Sequence, residues 1–263
     1  MRRSLRLIHL LIRQKLTHMM AFRFSFWGAF FADGTLFLVQ LLTFETIYAQ
    51  VERIGDWSRG EMIIFVGTFS LINALNMVIY FFGIVDLPGK IRRGDLDQYL
   101  TKPVNPLLRL TFEQVNIGSL PLVALSALII RYGLSVAGLQ VSVWSGLGYV
   151  LLVLLMTLLW YDMELILRTL PFFVLGVRAV DAIEGELLSL NFRIPGILFR
   201  GFFKVLFYFL LPYGIMATVP TQFVAGTLSG GGLLHALAVV AVFTWFALWF
   251  WRVGLRHYKS ASS

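Results

Sequence analysis

Residues 62–85 read MIIFVGTFSLINALNMVIYFFGIV, a run without one charged side chain. About 20 apolar residues in a helix reach across the hydrocarbon core of a bilayer, and only a helix satisfies its own backbone hydrogen bonds there. The run therefore predicts a membrane span. Its surroundings agree, because 58% of the 263 residues are hydrophobic and only 14% charged, with a mean hydropathy of +0.80. A soluble domain carries about 25% charged residues. A soluble fold of this length has no interior large enough to hide so much apolar surface. The 24 Phe and 7 Trp suit lipid-facing and interfacial positions.

Outward from this run, further apolar stretches cover about 24–48, 115–131, 143–175, 202–219 and 233–251. The expected fold is an all-α polytopic membrane protein with six transmembrane helices, all in one transmembrane domain over 24–263. Asp33 interrupts the first span and Glu45 closes it. The most polar stretch, 86–109, follows the second span. After Tyr161 the pattern admits two readings: a helix that ends there before an interfacial segment, or one long or broken helix. The second is preferred, because a continued helix would let Asp162 and Glu164 pair with Arg168. Pro212 and Pro220 punctuate the fifth span, and a Gly-rich loop over 226–232 leads to the sixth.

Residues 1–23 hold Arg2, Arg3, Arg6, Arg13, Lys15 and Arg23 and no acid, with Leu5, Ile8, Ile12, Leu16 and Met19 at three- and four-residue steps. That spacing predicts a basic amphipathic helix lying on an anionic membrane surface. The basic stretch is too long for a secretory signal, and no small-residue cleavage site follows a short apolar core. The formal charge is +8. Nineteen of the 22 Lys and Arg fall in the N-terminal helix, the 86–109 loop, the 162–204 stretch and the tail, whereas Arg53, Arg59 and Arg131 face the other side. Positive charge collects in cytoplasmic loops, so both termini are expected in the cytoplasm.

Active-site chemistry is scarce. There is no Cys, and the four His (His9, His18, His235 and His257) stand in separate segments without metal-ligand spacing, so no metal or catalytic residue is expected. Gly83 to Lys90 faintly resembles a phosphate loop. Its glycines are one residue too far apart, Pro88 sits inside it, and Ile91 stands where the Mg-binding hydroxyl belongs. No cofactor is expected in this chain, and no nucleic acid as a partner. Among intramembrane carboxylates, Asp33 and Glu113 would serve an ion- or proton-coupled secondary carrier, the main alternative function; a non-transporting scaffold is a weaker one. No convincing internal repeat supports the carrier. Phe69, Asn73, Asn76 and Met77 share one face of the second span. With Pro212 they are candidate pathway-lining residues for a hydrophobic or amphiphilic cargo; helix–helix packing through Asn is the plainer explanation.

The most informative stretch runs from Gly89 through Arg93, Gly94, Asp95, Leu96, Asp97, Gln98, Tyr99, Leu100, Thr101, Lys102 and Pro103 to Pro106. A short amphipathic helix is expected over Asp95–Leu100, with Leu96, Tyr99 and Leu100 on one face. Such an Arg-Gly-Asp-Leu-Asp-x-x-Leu-x-x-Pro-x-x-Pro segment after a second span resembles the permease subunits of type-2 ATP-binding-cassette exporters, in the bacterial branch whose ATPase is a separate chain. Gly55-Asp56-Trp57-Ser58, Arg193-Ile194-Pro195, Leu211-Pro212, Val219-Pro220 and Tyr258-Lys259-Ser260 lie where that family would have them, so the likeness covers the chain. The charged stretch Asp162–Arg178 departs from the family pattern. The resemblance implies a bacterial cytoplasmic-membrane permease that pairs with an identical or related permease and with two copies of an ATPase, which would bind the ATP and Mg. It makes residues 1–23 an interfacial elbow helix and the 89–106 loop the ATPase-coupling element, carried by Gly94, Asp95, Leu96, Asp97, Tyr99, Leu100 and Pro103. Thr221 to Gly232 would form an outer re-entrant connection.

Overall fold

The computed structural model describes residues 23–173 and 178–258, so the amphipathic helix expected over 1–23 lies, but for Arg23, outside the described residues. All regular secondary structure among the described residues is helical, apart from one isolated bridge between Ile54 and Trp57. Its long helices are α1 (Arg23–Tyr48), α2 (Arg59–Ile79), α3 (Leu120–Val136), α4 (Val143–Thr169), α5 (Arg178–Arg193) and α6 (Gly230–His257). All but α5 belong to segments long and apolar enough to cross a membrane.

Three of these helices begin with serine caps at one end of the bundle. The Ser58 side chain accepts from the Glu61 N–H while Glu61 Oε2 accepts from the Ser58 N–H at 2.8 Å, a complete capping box. Ser142 and Ser229 accept from Ser145 N and Gly232 N at the starts of α4 and α6. Each cap satisfies a backbone donor that the first turn leaves without a partner. Glycine permits the closest helix contact. A Cβ at Gly67 would come within 2.7 Å of Ile130, and one at Gly133 within 2.8 Å of the Ile64 backbone. Small residues let α2 and α3 approach closely, which is how helices gain packing energy in lipid.

The second apolar run is not one helix. It breaks at Tyr80, whose hydroxyl donates to the Thr157 carbonyl at 2.9 Å, and resumes as a single turn over Phe81–Ile84. Gly83 causes the break to be useful: it lies against the Leu110 carbonyl with no room for a side chain, so the chain can fold back onto the helix Pro106–Phe112. The fourth segment, by contrast, is one helix through Asp162, Glu164 and Arg168, stopped by a tight turn at Leu170–Phe172 that contains Pro171.

The largest departure from expectation concerns the fifth crossing. The run 202–219 is bent by 79° between Gly201–Leu210 and Tyr213–Val224. Its first half ends in a π-helical turn, and Pro212, which has no N–H, sits at the bend. Both ends of this pair lie at the capped end of the bundle. Leu198, three residues before it, packs on Gly55, and Phe223 near its close packs on Gly148 in the second turn of α4. A pair bent this sharply is either a broken span or a re-entrant loop, and the contacts of both its ends with the capped end favour the second. The chain passes from one end of the bundle to the other along α5 and the residues after it. Glu184 meets Arg168 near the far end of α4, Phe192 lies on Phe69 midway along α2, and Leu198 arrives at Gly55. The bent pair covers 201–224 and overlaps the 221–232 stretch expected to re-enter only at its end, and Arg200 and Lys204 lie towards the capped end. Even so, among the described residues, Arg53, Arg59, Arg131, Arg200 and Lys204 are the Lys and Arg towards that end.

Candidate functional site

Two places carry the polar residues of this apolar bundle. The first is the loop between α2 and α3, which is folded rather than extended. Leu87–Arg93, Asp97–Leu100 and Pro106–Phe112 form three short helices, and Gly94 closes the first with a left-handed φ of 77°. Only glycine adopts that conformation without strain. Asn105 caps the third helix through Leu107 N. Leu96 and Tyr99 are buried in a cluster with Ile84, Leu87, Leu110, Leu165 of α4, and Ala247 and Trp251 of α6. The expected exposed face of Leu96, Tyr99 and Leu100 is therefore split. The first two anchor the loop to the bundle, whereas Leu100 and Pro103 remain exposed beside Arg92, Arg93 and Gln98.

Tyr99 is the pivot of this anchoring. Its hydroxyl donates to Glu113 Oε1 at 2.9 Å, and its ring lies under the Arg109 guanidinium at 4.4 Å and near the Lys90 ammonium at 5.4 Å. Burial, then the Glu113 carboxylate, push the Tyr99 phenol far above its usual range. Asp95 accepts from Arg93 Nε at 2.7 Å, an exposed pair that ties down the turn at Gly94. Tyr258 packs on the same cluster and faces Asp97; burial and that carboxylate raise its phenol as well. The loop and the C-terminal end of α6 thus form one surface.

The second place is a cleft of ≈ 730 Å³ between α1, α2, α4 and α5. Its polar lining comes from Asp33, Gln40, Thr43, Asn73, Ser189 and Arg193, set among Phe37, Phe69, Trp160 and Phe192. Gln40 Nε2 donates to the Phe192 carbonyl at 3.3 Å and so joins α1 to the end of α5. Towards the loop end, Arg168 bridges Glu164 at 3.3 Å and Glu184 at 3.1 Å, all three buried. This charged knot ties α4 to α5. Asp162 does not join it, as the sequence had suggested; its Oδ2 accepts from Thr244 of α6 at 2.5 Å.

Of the candidate pathway residues, Phe69 and Asn73 line the cleft. Asn76 is buried in the bundle, Met77 packs with the apolar cluster of Phe37 and Leu122, and Pro212 sits at the re-entrant bend. The two carboxylates of the secondary-carrier alternative go to different places: Asp33 to the cleft, Glu113 to Tyr99 and Arg109. Sequence reasoning missed Gln40, Trp160, Ser189 and Phe192. Ser189 and Phe192 carried a signal in the helical spacing of 184–193, between the apolar stretches 143–175 and 202–219, whereas Gln40 and Trp160 lie inside apolar runs that give none.

Residues 35–262 match the model of the ABC-2 family of transporter proteins. No curated protein and no solved structure matches the chain.

Proposed function

The chain belongs to the ABC-2 family of transporter proteins and is a multi-pass membrane permease, and from that premise we propose that it works as one half of an exporter's permease pair. Two copies of a separate ATPase chain would bind ATP and Mg and drive it. The permease chain contributes no catalytic residue. Its basic end, with the 86–109 loop and the α6 terminus, faces the cytoplasm of a bacterial cell by the bias of Lys and Arg. The ATPase docks on the exposed part of the loop, Gly94, Asp95, Asp97, Leu100 and Pro103. Leu96 and Tyr99 carry the motion inward and do not themselves touch the ATPase.

The observation that supports this best is the packing of the loop. A docking element transmits a conformational change only if it is stiffly joined to what must move, and only if the partner binds it differently in two states. Leu96, Tyr99 and Leu87 share one cluster with Leu165 of α4 and Trp251 of α6. Displacing the loop therefore displaces α4, whose Trp160 lines the cleft and whose Arg168 holds α5. The cleft is the cargo path, with α1 as the face towards the second permease, since it is the least buried of the apolar helices.

The test is the double substitution Asp97→Lys with Leu100→Ala, in permease co-purified with its ATPase and placed in vesicles. Asp97 and Leu100 lie outside the buried anchor, so membrane insertion persists. ATP hydrolysis continues while transport falls to background. Full transport by this variant contradicts the docking assignment. Uptake driven by a proton gradient without any ATPase contradicts the exporter reading altogether.

A further inference from the structure

We infer that a second cavity, on the side of α4 away from the cleft, is a binding site for lipophilic amines: amphiphiles with an ammonium head, an alkyl tail and no phosphate. Trp160 faces the cleft; Asp162, two residues on and so about 200° around the helix, faces the other way. There α4, the end of α2, the helix Pro106–Phe112 and α6 enclose ≈ 380 Å³. Its mouth is formed by Leu154 and Leu158, both exposed on the outer surface of the bundle, where lipid would lie.

The walls are apolar except around Asp162. That residue is 1% exposed, and one hydroxyl, from Thr244, reaches its carboxylate. A carboxylate accepts about four hydrogen bonds, and burying one without a counter-charge is costly. The neighbouring groups do not meet this need. Tyr80 donates to the Thr157 carbonyl, the Tyr161 hydroxyl is paired with Thr111 at 2.8 Å, and Arg168 is held by Glu164 and Glu184. Among the described residues lining the cavity there is no Lys, Arg or His. A cationic ligand supplies what the protein leaves out. The Tyr80 and Tyr161 rings, edge to face at 4.9 Å, stand on the same wall and favour a cation there.

Shape fixes the rest of the ligand. Leu154 and Asp162 are eight residues apart, or about 12 Å along α4, with Asp162 towards the basic end. A tail along Leu154, Leu158 and Leu248 points to the bilayer centre, and the head reaches Asp162 at the depth where the helix leaves the hydrocarbon. A phospholipid would set its phosphate beside Asp162 with no basic side chain to receive it. This site does not depend on the transport reading, and its test reads binding alone.

The experiment uses the full chain in phosphatidylcholine nanodiscs, with spin-labelled stearylamine and spin-labelled stearic acid as probes. The amine shows a motionally restricted component that unlabelled dodecylamine displaces and dodecanol does not. Asp162→Asn keeps the shape and a partner for Thr244, and weakens amine binding at least about tenfold. Leu158→Trp, at the exposed mouth, removes the restricted component without touching the carboxylate. Equal restriction of the amine and the acid, displacement by dodecanol, or unchanged amine binding in either variant overturns the assignment.

Discussion

The apolar helices α1 and α2 lie side by side, yet 17% of the apolar window of α1 is buried and 67% of that of α2. The difference comes from what each helix offers its neighbours. α2 presents Gly60 and Gly67 to Ala137 and Ile130 of the α3 segment, closely enough that backbone meets backbone. α1 offers less: Gly34 meets only the side chains of Leu122 and Leu125, at 3.4 Å or more, Gly28 has open space around it among the described residues, and Leu36, Leu38 and Leu42 are exposed. In lipid there is no hydrophobic drive to bring helices together, so close packing decides which helices form a rigid unit. α2, α3 and α4 form that unit, whereas α1 stands at its edge with the cleft behind it. An edge helix beside a polar cleft is what a two-permease pathway needs.

Three substitutions probe that contrast. The largest effect is expected at the charged knot that ties α5 to the rigid unit. Arg168→Met leaves Glu164 and Glu184 buried without their cation, and breaking a buried pair in this way costs about 4 kcal/mol. Thermal unfolding in mild detergent should show a large loss of stability; an unchanged midpoint would mean the knot holds nothing. Next is Gly67→Leu, which drives a side chain into Ile130 and should cost about 3 kcal/mol by overpacking. Retained stability there would dissolve the distinction between α2 and α1. The smallest is Gly28→Ala, where nothing among the described residues stands within 4 Å of the new methyl group. It should leave the midpoint unchanged or raise it by the equivalent of about 0.5 kcal/mol, through reduced freedom of the unfolded chain. Destabilisation by this variant would show that α1 is packed as tightly as α2.

Much of this was legible in the residues. The apolar runs predict the helices α1 to α4 and α6, and the Arg93-to-Pro106 segment points to the family to which the chain belongs. Three features were not. The break at Tyr80 lies within a uniformly apolar run, and the packing it permits, Gly83 against the Leu110 carbonyl, joins residues far apart in sequence. α5 is too polar to read as a crossing, because its polar groups are satisfied inside the bundle: Glu184 by Arg168, and the Phe192 carbonyl by Gln40. Conversely, residues 202–219 are apolar enough to cross but are bent by 79°, which hydropathy alone does not reveal. The same blindness affected Leu96 and Tyr99. Their spacing marks an apolar face, but only the fold shows that this face is turned inward onto α4 and α6.

The arrangement of cleft, loop and pathway hangs on one claim, that the chain crosses between Glu184 and Leu198 and re-enters over 201–224. Because the sequence contains no Cys, single cysteines can be placed without removing any. Arg53→Cys, Gln98→Cys and Arg200→Cys, treated with a membrane-impermeant maleimide in right-side-out and inverted vesicles, test it directly. Arg200→Cys should label from the same side as Arg53→Cys and opposite to Gln98→Cys. Labelling of Arg200→Cys from the Gln98 side would contradict the account, returning the fifth crossing to 202–219 and taking α5 out of the bundle.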